Sequence, residues 1–246
     1  MQEGPSNNLN THLEKGVKPI MVCLGTPNEF GTDFVKDFDK KTKDNPPTAL
    51  NVNYLEAHEN IERQKFLTNG DQAYVISTVD GLDKGSVGFM NCTGLVVCGV
   101  DKITGENVSF LTHQNPIQLF VFNGKSDFIK HLGQQLKEIK NRCKPGTIDA
   151  IVVGGVLDSG YKTEDDAYKK DYIECLKLLS GEVIKILGFD LVVVNGPKLT
   201  TVGDDWDSVY FFNEDRRAFL IRPEVGDVRD FPAGEVSKIF DSGKKY

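Results

Sequence analysis

At 246 residues the chain is long enough to bury a sizeable core without staples, and its balance of 29 Lys and Arg against 36 Asp and Glu, a net charge of −7 with no basic run, disfavours nucleic acid and anionic membrane surfaces as partners. Its five cysteines are scattered, three of them inside apolar runs and none in a CxxC or HxxxH arrangement, which reads as reduced thiols and leaves no metal or cofactor expected. The polar opening MQEGPSNNLNTHLEKG lacks the basic and apolar regions of a Sec signal, and no apolar run approaches membrane-spanning length, so a cytoplasmic protein is expected, with delivery into a host by a signal-independent route as the alternative.

Residues 1–16 show no apolar period and read as a disordered arm. Residues 17–70 read as an N-terminal extension packed on the core: KPIMVCLG is a short strand, KDFDKKTKDNPP a surface connection broken by paired prolines, and AHENIERQKFL a short helix. Residues 71–225 carry the main domain. AYVIST, TGLVVCGV, NVSFLTH and IQLFVF are β-rich, and DKITGE between the second and third is a hairpin loop in which Gly105 can take positive φ. SDFIKHLGQQLKEIKNR puts Phe128, Ile129, Leu132, Leu136 and Ile139 on one helical stripe. TIDAIVVGG follows as a buried strand, and a second helix runs from Thr163 to its close at Gly188. DLVVVNG, SVYFFN and AFLIRP complete the strands, the last two joined by the turn EDRR, and residues 226–246 form a tail. This order predicts an α/β (α+β) fold, a layered mixed β-sheet core with flanking helices.

Chemistry concentrates in GSVGFMNCTGLVVCGVDKITGENVSFLTHQNP, residues 85–116. Pairing back from the hairpin loop puts His113 opposite Gly94 or Leu95, depending on whether Gly105 makes a bulge, and Cys92 lies two or three residues further along. If the two side chains share a face, the thiol is a nucleophile and the imidazole its acid and base, an arrangement suited to acyl transfer from an amide. Backbone N–H groups of Cys92 and Thr93 at the strand mouth are candidates for an oxyanion hole, and Ser86, Thr112 and Asn91 are local candidates to orient the imidazole. The competing reading makes Cys92 a small core residue, as Cys98 and Cys175 are read from their apolar surroundings. VVGGVLDSG lacks the glycine spacing of a phosphate loop, the acidic clusters GDDWDS and KTEDD read as solvated, and Trp206 between acids suggests a surface that contacts a partner.

Ser86, Cys92 opening the run TGLVVCGVD, His113 ending the next strand and Pro116 soon after resemble the CheD chemoreceptor glutamine deamidases and the related deamidase domains of toxins such as the cytotoxic necrotising factor. In that family a hydroxyl residue lies six positions before the cysteine, and here 92 minus 86 is also six. IDAIVVGGVLDSG, LGFDLVVVNGPK and RAFLIRP continue the family's order, so the likeness spans roughly residues 72–224. The resemblance implies a CheD-like architecture and conversion of a glutamine on a protein substrate to glutamate, with Cys92 as nucleophile, His113 as acid and base, and Ser86 orienting His113. The alternatives are a noncatalytic protein-binding module on the same fold and a small-molecule-processing relative.

Overall fold

Asn107 to His113 alternates residues destined for two different layers, and the same period runs through Thr93 to Val100; these two strands form the centre of the molecule. In a computed structural model of the chain, the described residues are 12–25, 48–49, 66–68, 73–87, 89, 92–121, 124–154, 165–194, 208–221 and 229–232. The first five strands are β1 (Met21–Gly25), β2 (Thr48–Ala49), β3 (Phe66–Thr68), β4 (Tyr74–Ser77) and β5 (Lys84–Val87). The central hairpin is β6 (Thr93–Val100) and β7 (Asn107–Gln114), followed by helices α1 (Pro116–Val121) and α2 (Lys125–Arg142). Then come β8 (Asp149–Gly154), α3 (Asp165–Leu187), β9 (Val192–Val194), β10 (Ser208–Phe212), β11 (Arg217–Ile221) and β12 (Arg229–Pro232).

These strands make two six-stranded sheets, ordered β3-β4-β7-β6-β8-β9 and β12-β1-β11-β10-β5-β2. Both are mixed: β8 and β9, joined through α3 as a βαβ unit, pair in parallel, as do β1 with β11 and β2 with β5. The first sheet is buried on both faces. Toward the helices it presents Leu95, Val97, Val108, Phe110, Ala150 and Val152, which pack with Phe128, Leu132, Leu136 and Ile139 of α2 and with Cys175, Leu179 and Val183 of α3. Toward the second sheet it presents Val75, Val96, Cys98, Leu111, Ile151 and Val153, which meet Ile20, Val22, Val209, Phe211, Ala218 and Leu220. Layers therefore run helices, sheet, sheet, which agrees with the α+β layering expected. Each fully buried aliphatic or phenyl side chain in these clusters contributes about 1.5–3 kcal/mol of transfer free energy.

The predicted stripe of α2 holds, with Phe128, Leu132, Leu136 and Ile139 buried and Ile129 partly covered. Lys140 and Arg142 in its last turn suit the negative end of the helix. α3 stops at Gly188, whose N–H is donated to the carbonyls of Val183 and Ile184.

Four expectations need correction. IQLFVF is helix rather than strand: Pro116 opens α1, the Asn115 side chain accepts the Gln118 N–H at 3.2 Å and its carbonyl accepts that of Leu119 at 2.9 Å. A capped start with proline in the first turn outweighs the β preference of Ile, Phe and Val. The end of AHENIERQKFL, from Phe66, is strand β3, and the rest of it lies outside the described residues, as does KDFDKKTKDNPP. No boundary at residue 70 separates an extension, because β1 lies between β11 and β12, and β12 falls within the expected tail. Finally, residues 12–16 of the expected arm are attached: the Glu14 N–H reaches the Gly146 carbonyl at 2.8 Å, and His12 stacks on Phe189 at 3.9 Å while its Nε2 lies 3.3 Å from an Asp149 carboxylate oxygen. That same buried carboxylate accepts the Ile20 N–H at 2.7 Å.

Candidate active site

The hairpin loop settles which residues face each other. Asp101 accepts the Ile103 N–H on its carboxylate at 2.7 Å and the Gly105 N–H on its carbonyl at 2.9 Å, and Gly105 takes φ 76°. The strands leave this loop in one register: the pairs Val96↔Leu111 and Thr93↔Gln114 bracket the site, so His113 lies across from Gly94. With side chains alternating between faces, His113 and Leu111 share the inter-sheet face with Gly94 and Val96. Cys92 has the same parity as Gly94 and belongs to the same inter-sheet cluster as Val96, Leu111 and Phe89. Cys92 thus shares the inter-sheet cluster with residues around His113, and its thiol also lies close enough to the Cys175 thiol, on the helix side, to be influenced by it.

Ser86 reaches this face from the other sheet. β5 pairs with β10, placing Ser86 beside Val209, and from there its hydroxyl lies 2.8 Å from Nδ1 of His113. Both residues are buried, and the bond joins positions on two different sheets. Phe89, fully buried, stacks on the imidazole with centroids 4.1 Å apart and planes 17° from parallel. Its carbonyl accepts the Cys92 N–H at 3.2 Å. That N–H, read from the sequence as an oxyanion donor, is therefore engaged within the loop, and it turns to a ligand only if the bond opens. Thr93, the other proposed donor, sits within the sheet, opposite both Gln114 and Gly154.

Burial pushes the Cys92 thiol up to about 12, and the neighbouring Cys175 thiol adds to the effect. At rest this thiol is accordingly protonated. Cys98 is likewise raised to about 12 by burial, and Cys175 to about 11, opposed there by hydrogen bonds from Thr93 and Gln114. Cys98 and Cys175 are wholly buried and fill the core positions read for them.

On the opposite face of the hairpin lies a polar chain. The Thr112 hydroxyl accepts the Leu95 N–H at 2.9 Å and donates to the Gln114 carboxamide oxygen at 2.8 Å; the Gln114 amide then donates to the Thr93 hydroxyl at 2.8 Å, which lies 3.4 Å from the Cys175 sulfur. Thr112 is thereby committed to the helix side, leaving Ser86 as the described hydroxyl that bonds His113. Asn91, Trp206, His58, residues 203–207 of the acidic run GDDWDS and the region after Gly154 in VVGGVLDSG lie outside the described residues.

Phe89 and the Thr93–Gln114 chain were not read from the sequence. The available signal for Phe89 was Gly94: a glycine inside a β-rich run marks close approach by another group. A Cβ at Gly94 would sit 2.8 Å from the Phe89 ring and 2.6 Å from the Thr112 carbonyl oxygen. His131 lies half-buried with Nδ1 2.9 Å from the Tyr74 hydroxyl.

Among the described residues no group of three or more His, Cys, Asp or Glu is placed to hold a metal ion, and no helix is long and apolar enough to cross a membrane. No protein-family model matches the chain, and no curated protein matches it in sequence.

Proposed function

We propose that the chain is a cysteine-dependent amidohydrolase that deamidates a glutamine on a protein substrate. The observation that carries this reading is the Ser86–His113 hydrogen bond across the two sheets, beside the inter-sheet cluster that holds Cys92. A hydroxyl on Nδ1 fixes the ring so that Nε2 serves the thiol, the division of roles that hydrolytic Cys-His and Ser-His sites require. As Sγ attacks the side-chain carbonyl of glutamine, its proton passes to Nε2; the tetrahedral intermediate collapses as that proton is delivered to the departing nitrogen, releasing ammonia and leaving a thioester. Water, deprotonated by the same nitrogen, then attacks the thioester, giving glutamate and restoring the thiol. Proton transfer concerted with attack suits a thiol that is protonated at rest.

The four cysteines whose side chains are described are free and buried. That fits work in a reducing compartment, either the cell's own cytoplasm or a host cytoplasm reached without a Sec signal. Specificity for glutamine over asparagine would follow from the depth of Cys92, since the longer side chain reaches a recessed sulfur.

A noncatalytic binding module on the same fold is favoured by one observation, the upward displacement of the Cys92 thiol. Intact-mass and peptide measurements on candidate protein partners separate the two: the enzyme reading expects a gain of about 1 Da at a glutamine, with ammonia released, that Cys92→Ala and His113→Ala abolish. Unchanged partner masses across a broad panel would leave the binding module as the better account.

A further inference from the structure

We infer that Phe89 is a positioning residue for the Cys92–His113 pair, and that Gly94 is glycine to admit its ring; this rests on the amidohydrolase reading above. Phe89 meets both members of the pair by different atoms. Its ring lies 4.1 Å from the imidazole, nearly parallel, and its carbonyl accepts the Cys92 N–H. The side chain is wholly buried, so the ring has neighbours on all sides and its plane is fixed by packing. The imidazole is thus restrained by two groups acting in different ways: Ser86 holds Nδ1 within the ring plane, and Phe89 lies against the face. A hydrogen bond to one nitrogen still permits a ring to tilt about that bond; a flat neighbour against its face removes the tilt. With both in place Nε2 has one direction.

The space for Phe89 comes from the strand opposite His113. At Gly94 a methyl group would approach the Phe89 ring to 2.8 Å at Cε1 and 3.1 Å at Cζ, and a backbone oxygen, that of Thr112, to 2.6 Å. The backbone contact cannot yield without disturbing the β6–β7 pairing, and the ring contact yields only by moving Phe89 off the imidazole. A residue two positions from the nucleophile and across the ladder from the base therefore controls the geometry of both through a third.

The full chain tests this. Ring-nitrogen NMR shifts of His113 should report a single tautomer in the wild type; exchange between two tautomers there would overturn the inference before any variant is made. Phe89→Leu and Phe89→Met keep apolar bulk without a plane, and either one that retains the wild-type circular dichroism should show His113 averaging over tautomers. The same variants should lower kcat for the deamidated partner about tenfold with KM unchanged. Gly94→Ala should reproduce the tautomer change without touching Phe89, His113 or Cys92 chemically, whereas Val96→Ala, a packing change in the same cluster, should not. Folded Phe89 variants with wild-type ring shifts would sink the inference even if the protein deamidates its partner normally. Altered shifts in a protein that deamidates nothing would sink the amidohydrolase reading and leave the positioning role standing.

Discussion

Alkylation of Cys92 in the resting protein is the sharpest test of how the site is charged. Burial and the Cys175 thiol hold Cys92 at about 12. At pH ~7 that leaves a thiolate fraction of about 10⁻⁵, against roughly 3% for an ordinary cysteine with a pKa near 8.5, a deficit of some 10³ to 10⁴. A more basic thiolate is also more nucleophilic, and a Brønsted slope near 0.45 over about 3.5 units returns a factor of roughly 40. The balance is a rate about a hundredfold below that of free cysteine, before any loss from restricted access. The assay is iodoacetamide labelling followed by peptide mass spectrometry, so that Cys92 is read apart from the other four cysteines, with urea-unfolded protein as the reference. The logarithm of the rate should climb with pH at unit slope from pH ~7 to ~10 without a plateau. A plateau near neutrality, or labelling faster than in the unfolded chain, would refute the reasoning: it would mean that His113 holds Cys92 as a preformed ion pair and that burial is not the dominant influence on the thiol.

Two further outcomes follow from the buried polar groups. Ser86→Ala removes a 2.8 Å bond to a buried imidazole and should cost about 1–3 kcal/mol in urea unfolding, with Ser86→Thr costing less if its hydroxyl keeps the bond; an unfolding midpoint unmoved by the alanine would show that the bond contributes nothing. Cys98, pushed up to about 12 from an ordinary value near 9, gives a stability contribution that is complete below pH ~9, where folded and unfolded thiols are both protonated. As pH rises from there toward the folded value only the unfolded chain ionises, so stability falls by up to ~1.4 kcal/mol per pH unit for this thiol. Urea midpoints measured at pH ~8 and ~10 should therefore diverge more in the wild type than in Cys98→Ala, and equal divergence would dismiss the linkage.

Periodicity made the helix-facing half of the molecule legible. The stripe of α2 and the apolar runs of β6 and β8 declare their burial because each is repeated over several turns or residues, and the layered α+β class follows from them. The second sheet was largely hidden. β5 is KGSV, four residues with a buried lysine, held by its pairing with β10 and by the Lys84 ammonium on the Asp80 carboxylate and the Leu82 carbonyl, so no local pattern marks it as strand. β12 lies in a charged C-terminal segment and is defined by β1 alone. Long-range pairing supplies such strands, and propensity is a poor guide to them. In the candidate site, the sequence offers Cys92, His113 and Ser86 but not their surroundings: the side taken by His113 depends on a loop register, and the state of the thiol depends on burial by residues distant in the chain.

Register is the quantity on which the chemistry turns, and the polar chain on the helix side bears on it directly. A slip of β7 against β6 by one residue would exchange every face, putting His113 under α3 and Thr112 between the sheets. Apolar residues resist such a slip only weakly here, because both faces of this pair are buried and both are lined with valine and leucine. Hydrogen-bonded groups resist it strongly, since displacement leaves buried donors and acceptors without partners at about 1–3 kcal/mol each. The chain from the Leu95 N–H through Thr112 and Gln114 to Thr93 ties the two strands together at the end where the thiol and imidazole lie, and Ser86 on His113 closes the other face. Each satisfied group forbids the slipped pairing, so the polar chain on one face and Ser86 on the other together decide that His113 faces the second sheet.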